Sequence, residues 1–214
     1  MAIAGYADLY AAKLTTADNA VAGVPDGATI SLGMAIGQPP ALLAALAARL
    51  RANDLKNIRL YYKIAMEPLA KTLLAEDVIE KVDAHSFFIG GPDHEIIKRQ
   101  VKTGKKLLSF VPVNFSQIPR LFEEIIALDT FIVTVSPMDG GGFFSLGTDN
   151  DFASTAARRC KRLIVEVNRN MPRVFGQSQI HVSEVAAIVE NHVPLIEAGV
   201  AEPSPEGRAI GALV

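Results

Sequence analysis

Short apolar runs alternate along this chain with stretches of helical spacing. The clearest run is Thr130 to Val135, TFIVTV, which has no polar face. It predicts a strand buried on both sides, as in a parallel sheet. Similar runs predict strands at Ala28–Leu32, Asn57–Tyr62, His85–Ile89, Lys106–Val111 and Leu163–Val167. The segment Gln179–Glu190 is ambiguous, with Val185–Val189 reading as a late strand. Helical spacing covers Tyr6–Lys13, Thr16–Gly23, Ala41–Arg51, Glu67–Leu74, Asp77–Lys81, Gln117–Glu124 and Phe152–Cys160. A further helix runs to about Lys102, with Asp93 as its cap and Glu95 in its first turn. Thr16 suits an N-cap, where a hydroxyl accepts from a free backbone N–H. Pro40 suits a first helical turn, where its missing N–H is not needed. Strands alternating with helices imply βαβ units with right-handed crossovers. The expected fold is α/β, a mostly parallel sheet flanked by helices.

Five predicted strand ends carry loop-type residues: Gly33–Pro39, Gly90–Pro92, Pro112–Asn114, Ser136–Gly142 and Asn168–Pro172. In an open α/β sheet, ligands bind just past the carboxyl ends of the strands. Converging on one edge, these loops would line one cleft. Ser136-Pro137 stops its strand, because proline cannot extend the ladder. The glycines Gly140, Gly141 and Gly142 then suit either a sharp turn beside a site or an ordinary surface loop.

Composition narrows the class. Of 214 residues, 50% are hydrophobic and 21% charged, which describes a folded chain with a large core. A net charge of -2 points neither to nucleic acid nor to an anionic membrane. The single cysteine, Cys160, excludes an internal disulfide and reads as a packed thiol. Residues 1–5 lack a basic start and Asp8 interrupts the apolar region, so no signal peptide is read there. No apolar run is long enough to span a bilayer, and the expectation is a cytoplasmic protein.

Most familiar catalytic patterns are absent. There is no P-loop, no GxGxxG after a strand and no GxSxG elbow, so nicotinamide or flavin chemistry is not expected. His85, His94, His181 and His192 show no metal spacing, and no metal is expected. Glu166, in LIVEVN, is a carboxylate inside an apolar strand. It must be hydrogen-bonded or have a raised pKa, and is either a nucleophile or a structural group. Asp139 suits a turn that accepts backbone N–H groups. Lys63, Arg120 and Arg173 are candidate anion-binding cations or solvated surface charges. The last residues, Ala209–Val214, resemble Ala20–Val24, and the chain is expected to stop inside a helix at 206–214 that leads out of a domain spanning 1–205.

Taken together, three sets of residues resemble the amino-terminal half of the acetyl-CoA hydrolase/transferase family, which includes 4-hydroxybutyrate and acetate CoA-transferases. They are Val24-Pro25-Asp26-Gly27-Ala28 leading to Gly33 and Pro39, then Ser136-Pro137-Met138-Asp139 with Gly142-Phe143-Phe144-Ser145-Leu146-Gly147, then Glu166-Val167-Asn168 with Met171-Pro172. The resemblance covers nearly the whole chain. It implies a CoA-transferase-like open sheet of the NagB/RpiA type, with two similar halves facing a shared site. It also implies nucleophilic catalysis by a glutamate, through an acyl-glutamyl anhydride and a glutamyl-CoA thioester.

In the family that glutamate belongs to the second half, so no catalytic residue is expected in this chain and Glu166 is only a fallback. The substrates implied are acyl-CoA, with coenzyme A as substrate, and a short-chain carboxylate. The residues carried over to the facing wall of the acyl pocket are Gly33, Met34, Gly37, Gln38, Pro39, Asn114, Asp139, Gly140, Gly141 and Gly142. Backbone N–H groups of glycine loops would stabilise the oxyanion. The expected partner is a carboxy-terminal domain or subunit, and self-association into a homo-oligomer is expected from an apolar face left bare. Two other readings are a sugar-phosphate isomerase-like domain, from Asp139-Gly140, and a non-catalytic subunit of a two-chain enzyme.

Overall fold

The computed structural model describes residues 5–197, 199 and 202–213. Residues 1–4 of the start read as carrying no signal peptide, and the final residue of the 209–214 repeat, lie outside them. In chain order the elements are α1 (Tyr6–Lys13), α2 (Ala17–Ala22), β1 (Thr29–Leu32), α3 (Pro40–Arg51), β2 (Ile58–Tyr62), α4 (Glu67–Ala70), β3 (Val82–Ser86), α5 (Gly91–Thr103) and β4 (Leu108–Phe110). Then follow α6 (Ile118–Glu124), β5 (Thr130–Val135), β6 (Phe143–Ser145), α7 (Ala153–Arg159), β7 (Arg162–Val167), β8 (Gln179–His181), β9 (Ala187–Glu190) and α8 (Pro205–Gly211).

Among the described residues seven strands form one sheet, in the order β4-β3-β2-β1-β5-β7-β9. Every pairing in it is parallel. All carboxyl ends therefore reach the same edge, as the sequence predicts. β5 lies near the middle and all six of its residues are buried. Its Ile132 joins an apolar cluster with α2, α3 and α5, while Phe131, Val133 and Val135 join a second cluster with α6 and α7. A strand packed on both faces has no solvent side, which is why TFIVTV has no polar phase. In α3, Leu42, Leu43, Leu46 and Leu50 are fully buried. Each contributes about 2 kcal/mol of burial. Thr16 caps α2 by accepting from Asn19 N–H at 3.3 Å.

Several boundaries move. β3 begins at Val82 and ends at Ser86, not at Ile89. Its register against β2, Ile58 opposite Val82, sets these bounds, and Phe88 beyond the strand is 50% exposed. Asp93 is the third residue of α5 and not its cap, since Pro92 fits the first turn and moves the start to Gly90. Its carboxylate accepts from Gly90 N–H at 2.8 Å and from the Tyr62 hydroxyl. Glu95 then lies beyond the first turn, exposed and paired with Lys98. β6 and β8 form a separate antiparallel pair that the sequence does not announce. No helix among the described residues is long and apolar enough to cross a membrane.

Candidate functional site

The loop leaving β1 is built from both sides. Gly33 N–H continues the ladder by donating to Ile132 at 3.0 Å. A Cβ on Gly33 would stand 2.4 Å from the Gly37 carbonyl oxygen and 2.5 Å from Asp149 Oδ2. One on Gly37 would stand 2.2 Å from the same Oδ2. Both glycines are thus required by close approach, not by unusual φ. Met34 N–H donates to Asp149 Oδ1 at 3.0 Å, and Ala35 adopts a φ of 47°. Gln38 is buried. Its side-chain N–H donates to Ile64 O at 2.9 Å, and its side-chain oxygen accepts from Met66 N–H at 3.2 Å. Its carbonyl accepts from the Thr134 hydroxyl at 3.1 Å. Gln38 therefore supports the loop from beneath and ties it to the segment after β2. That segment is itself strained, with the β-branched Ile64 at a φ of 53°. Pro39 caps α3 and is buried.

Glu166 sits on β7, fully buried, and points at the start of α3. Its Oε2 accepts from Leu42 N–H at 3.0 Å and its Oε1 from the Asn191 side chain at 2.7 Å. Burial pushes its pKa up, and the N–H donors of Leu42, Asn191 and Ala41 pull it back. A carboxylate at a helix start satisfies free N–H groups and suits the dipole. With both oxygens engaged and no exposed surface, Glu166 is a cap delivered across the sheet, and a thioester has no approach to it.

The glycines after β5 close a turn. Asp139 Oδ1 accepts from Gly141 N–H and Phe143 N–H, each at 2.9 Å, and its other oxygen pairs with Arg173. The Phe143 N–H, then Arg173, the Gly141 N–H and His181 hold its carboxyl below the usual range. Gly142, at a φ of 83°, donates to the Asp139 carbonyl at 3.1 Å. The N–H groups of Gly141 and Gly142 are thus engaged inside the turn. Among the described residues, only the Gly140 N–H of the three has no internal partner, so the glycine run is not a ready oxyanion cradle. Asp139 is no free base either, which removes support for an isomerase-type loop.

Of the three candidate cations, Arg173 is held by Asp139 and Arg120 by exposed Glu124. Lys63 Nζ stands 2.9 Å from the centre of the Phe115 ring. Asn114 is exposed at the end of the loop after β4, and its side chain accepts no capping bond. Cys160 is a packed thiol whose pKa burial pushes up to about 11.

These residues share an edge but not a cleft. Ile36 and Gln38 line a hollow of only about 20 Å³ with Thr134, Asn168 and the segment Val193–Ile196. That is room for about one water. A hollow of about 370 Å³ at the ends of β7 and β9 gathers Met138, Arg169, Glu190 and His192 instead. Another, of about 400 Å³, lies between α4 and α5 and contains none of the candidates. Phe88, Phe110 and Phe115, 50%, 55% and 44% exposed, lie at or just past the ends of β3 and β4. The sequence reading missed Asp149 and Asp151, although two acids one residue apart after Gly147 were the available signal.

A sequence model of the acetyl-CoA hydrolase/transferase N-terminal domain matches residues 4–197. The chain is 31% identical over 95% of its length to a 4-hydroxybutyrate coenzyme A transferase of Clostridium kluyveri, and 33% identical over 87% to a butyryl-CoA:acetate CoA-transferase of Anaerostipes caccae. It covers 46% and 41% of those relatives, so it spans about half the length of each. Among solved structures, RipA from Yersinia pestis superposes with a TM-score of 0.92 at 45% identity, over 94% of this chain and 46% of that one. A 4-hydroxybutyrate CoA-transferase of Porphyromonas gingivalis shares the fold, with a TM-score of 0.68 at 22% identity over 90% of this chain and 43% of that one. The chain belongs to the acetyl-CoA hydrolase/transferase family, as its N-terminal domain.

Proposed function

We propose that this chain forms the amino-terminal half of an enzyme that moves coenzyme A between a short-chain acyl-CoA and a carboxylate, or hydrolyses the acyl-CoA to the acid and free CoA. The observation that carries this reading is the family match over residues 4–197, on a chain about half as long as its relatives. The nucleophilic glutamate then comes from a carboxy-terminal half, joined through the segment 206–214 or carried by a partner subunit. Its carboxylate attacks the thioester carbonyl, the C–S bond breaks, and an acyl-glutamyl anhydride forms with release of CoA thiolate. The thiolate attacks the glutamyl carbonyl of that anhydride, releasing the acyl carboxylate and leaving a glutamyl-CoA thioester. An incoming carboxylate reverses these steps.

On this reading the chain supplies one wall. The backbone of Gly33–Pro39 and the exposed Asn114 and Gly140 face the substrate, while Gln38, Asp139, Gly141 and Gly142 hold that wall in shape. The 20 Å³ hollow beside Ile36 holds no acyl group. The acyl space is therefore made between the two halves, and the exposed Phe88, Phe110 and Phe115 suit a covered edge. Self-association of the isolated chain through the same edge and a cytoplasmic location belong to the same reading.

The test is thioester exchange with acetyl-CoA and butyrate, with free CoA followed in the same samples. The chain alone gives neither exchange nor hydrolysis, and adding a carboxy-terminal half restores exchange. Turnover by the chain alone would overturn the proposal.

A further inference from the structure

Asp149 follows β6 and is 1% exposed, and Asp151 stands beside it at the start of α7. The two carboxyl groups lie within hydrogen-bonding reach of each other. Each has one engaged oxygen: Asp149 Oδ1 accepts from Met34 N–H, and Asp151 Oδ1 accepts from Ala153 N–H at 3.0 Å. Among the described residues, neither Oδ2 has a hydrogen-bond partner. An unpartnered buried polar oxygen needs an explanation. Two ionised carboxylates side by side repel, and one proton between them makes a single hydrogen bond that gives both groups a partner.

We propose that Asp149 is a positioning residue for the Gly33–Pro39 loop: as the neutral acid, donating its proton to Asp151, it holds Met34 N–H and fills the space left by Gly33 and Gly37.

The assignment of the proton follows from what faces each group. Asp149 meets the backbone of Gly33, Met34 and Gly37 and the carboxyl of Asp151, and among the described residues it forms no ion pair. Asp151 is less buried, receives N–H groups at the start of α7, and faces the Lys63 ammonium from the end of β2. These favour its charge, so Asp151 is the ionised member and Asp149 the protonated one. Burial pushes both carboxyls up. The site differs from Glu166, whose two oxygens are both supplied with N–H donors.

The importance of this loop for acyl transfer rests on the proposed function, but the test does not. In the isotopically labelled 214-residue chain, the Met34 amide resonance is followed from acid to alkaline pH. It moves with a midpoint above the ordinary carboxylate range. Asp149→Asn, which keeps an acceptor for Met34 N–H, leaves the amide near its wild-type neutral-pH position and abolishes the movement. Asp151→Asn lowers the midpoint, because the like charge is gone. An ordinary carboxylate midpoint, no movement at all, or unchanged movement in Asp149→Asn overturns the proposal. Failure of the exchange assay with both halves present would sink the enzymatic reading and leave this one standing.

Discussion

Two buried carboxylates flank the same loop and are held in opposite ways. Glu166 reaches the start of α3 with both oxygens bonded to N–H donors. Asp149 reaches the loop itself with one oxygen bonded and the other against glycine backbone and a second acid. Neither is reachable by a large substrate. The difference teaches that burial of an acid does not define its role; the supply of donors does. A carboxylate with a full set of donors has its charged form stabilised against burial and locks two elements together. One with half a set is pushed by its burial toward the protonated form.

The comparison breaks most sharply at Glu166. Glu166→Ala leaves the buried Leu42 N–H and the half-buried Asn191 amide without their acceptor. The expected loss is about 3 kcal/mol in urea unfolding, as for a buried bond to a charged group. A loss near zero would show that α3 needs no cap from β7. Next comes the fit at Asp149. Gly37→Ala places a methyl 2.2 Å from Asp149 Oδ2, a distance that requires backbone or the acid to move. The expected loss is about 2 kcal/mol. Gly140→Ala, with nothing within 4 Å, is the control and should stay within about 0.5 kcal/mol. Equal effects at the two glycines would dismiss the wedge.

The smallest effect is a slope. Asp149 has its folded-state pKa raised above the unfolded value of 3.8 by burial and by Asp151. Between those two values the native state keeps a proton that the unfolded chain releases, so stability falls as pH rises through that window. Asp149→Asn removes this contribution. Its stability relative to wild type should therefore grow as pH rises from about 4. A difference between the two that is constant with pH would mean that Asp149 is ionised in the folded protein. Glu166, also raised, contributes a slope of the same sign in both proteins and drops out of the difference.

The sequence made the order of strands and helices readable because each long element carries its own period or its own apolar run. Tyr6–Lys13 and Thr130–Val135 match to the residue, and Pro40 opens α3 as expected. It misplaced β3, because the apolar residues Phe87 to Ile89 look like a strand while the pairing with β2 ends at Ser86. It missed β6 and β8, three residues each, whose pairing joins positions far apart in sequence. Residue type and strand-end position alone singled out the loop Gly33–Pro39 and the turn at Asp139. They said nothing of which oxygens would find donors.

That division has a physical cause. Local composition determined the α/β class, the buried central strand and the glycines where backbone must come close, since these depend on steric and burial preferences of neighbouring residues. The partners of the acids were decided only in the folded state: Glu166 meets Leu42 from 124 positions away and Asp149 meets Met34 from 115. Hydrogen bonding and proton affinity are set by what surrounds a group in space, and in this chain those surroundings are assembled from opposite ends of the domain.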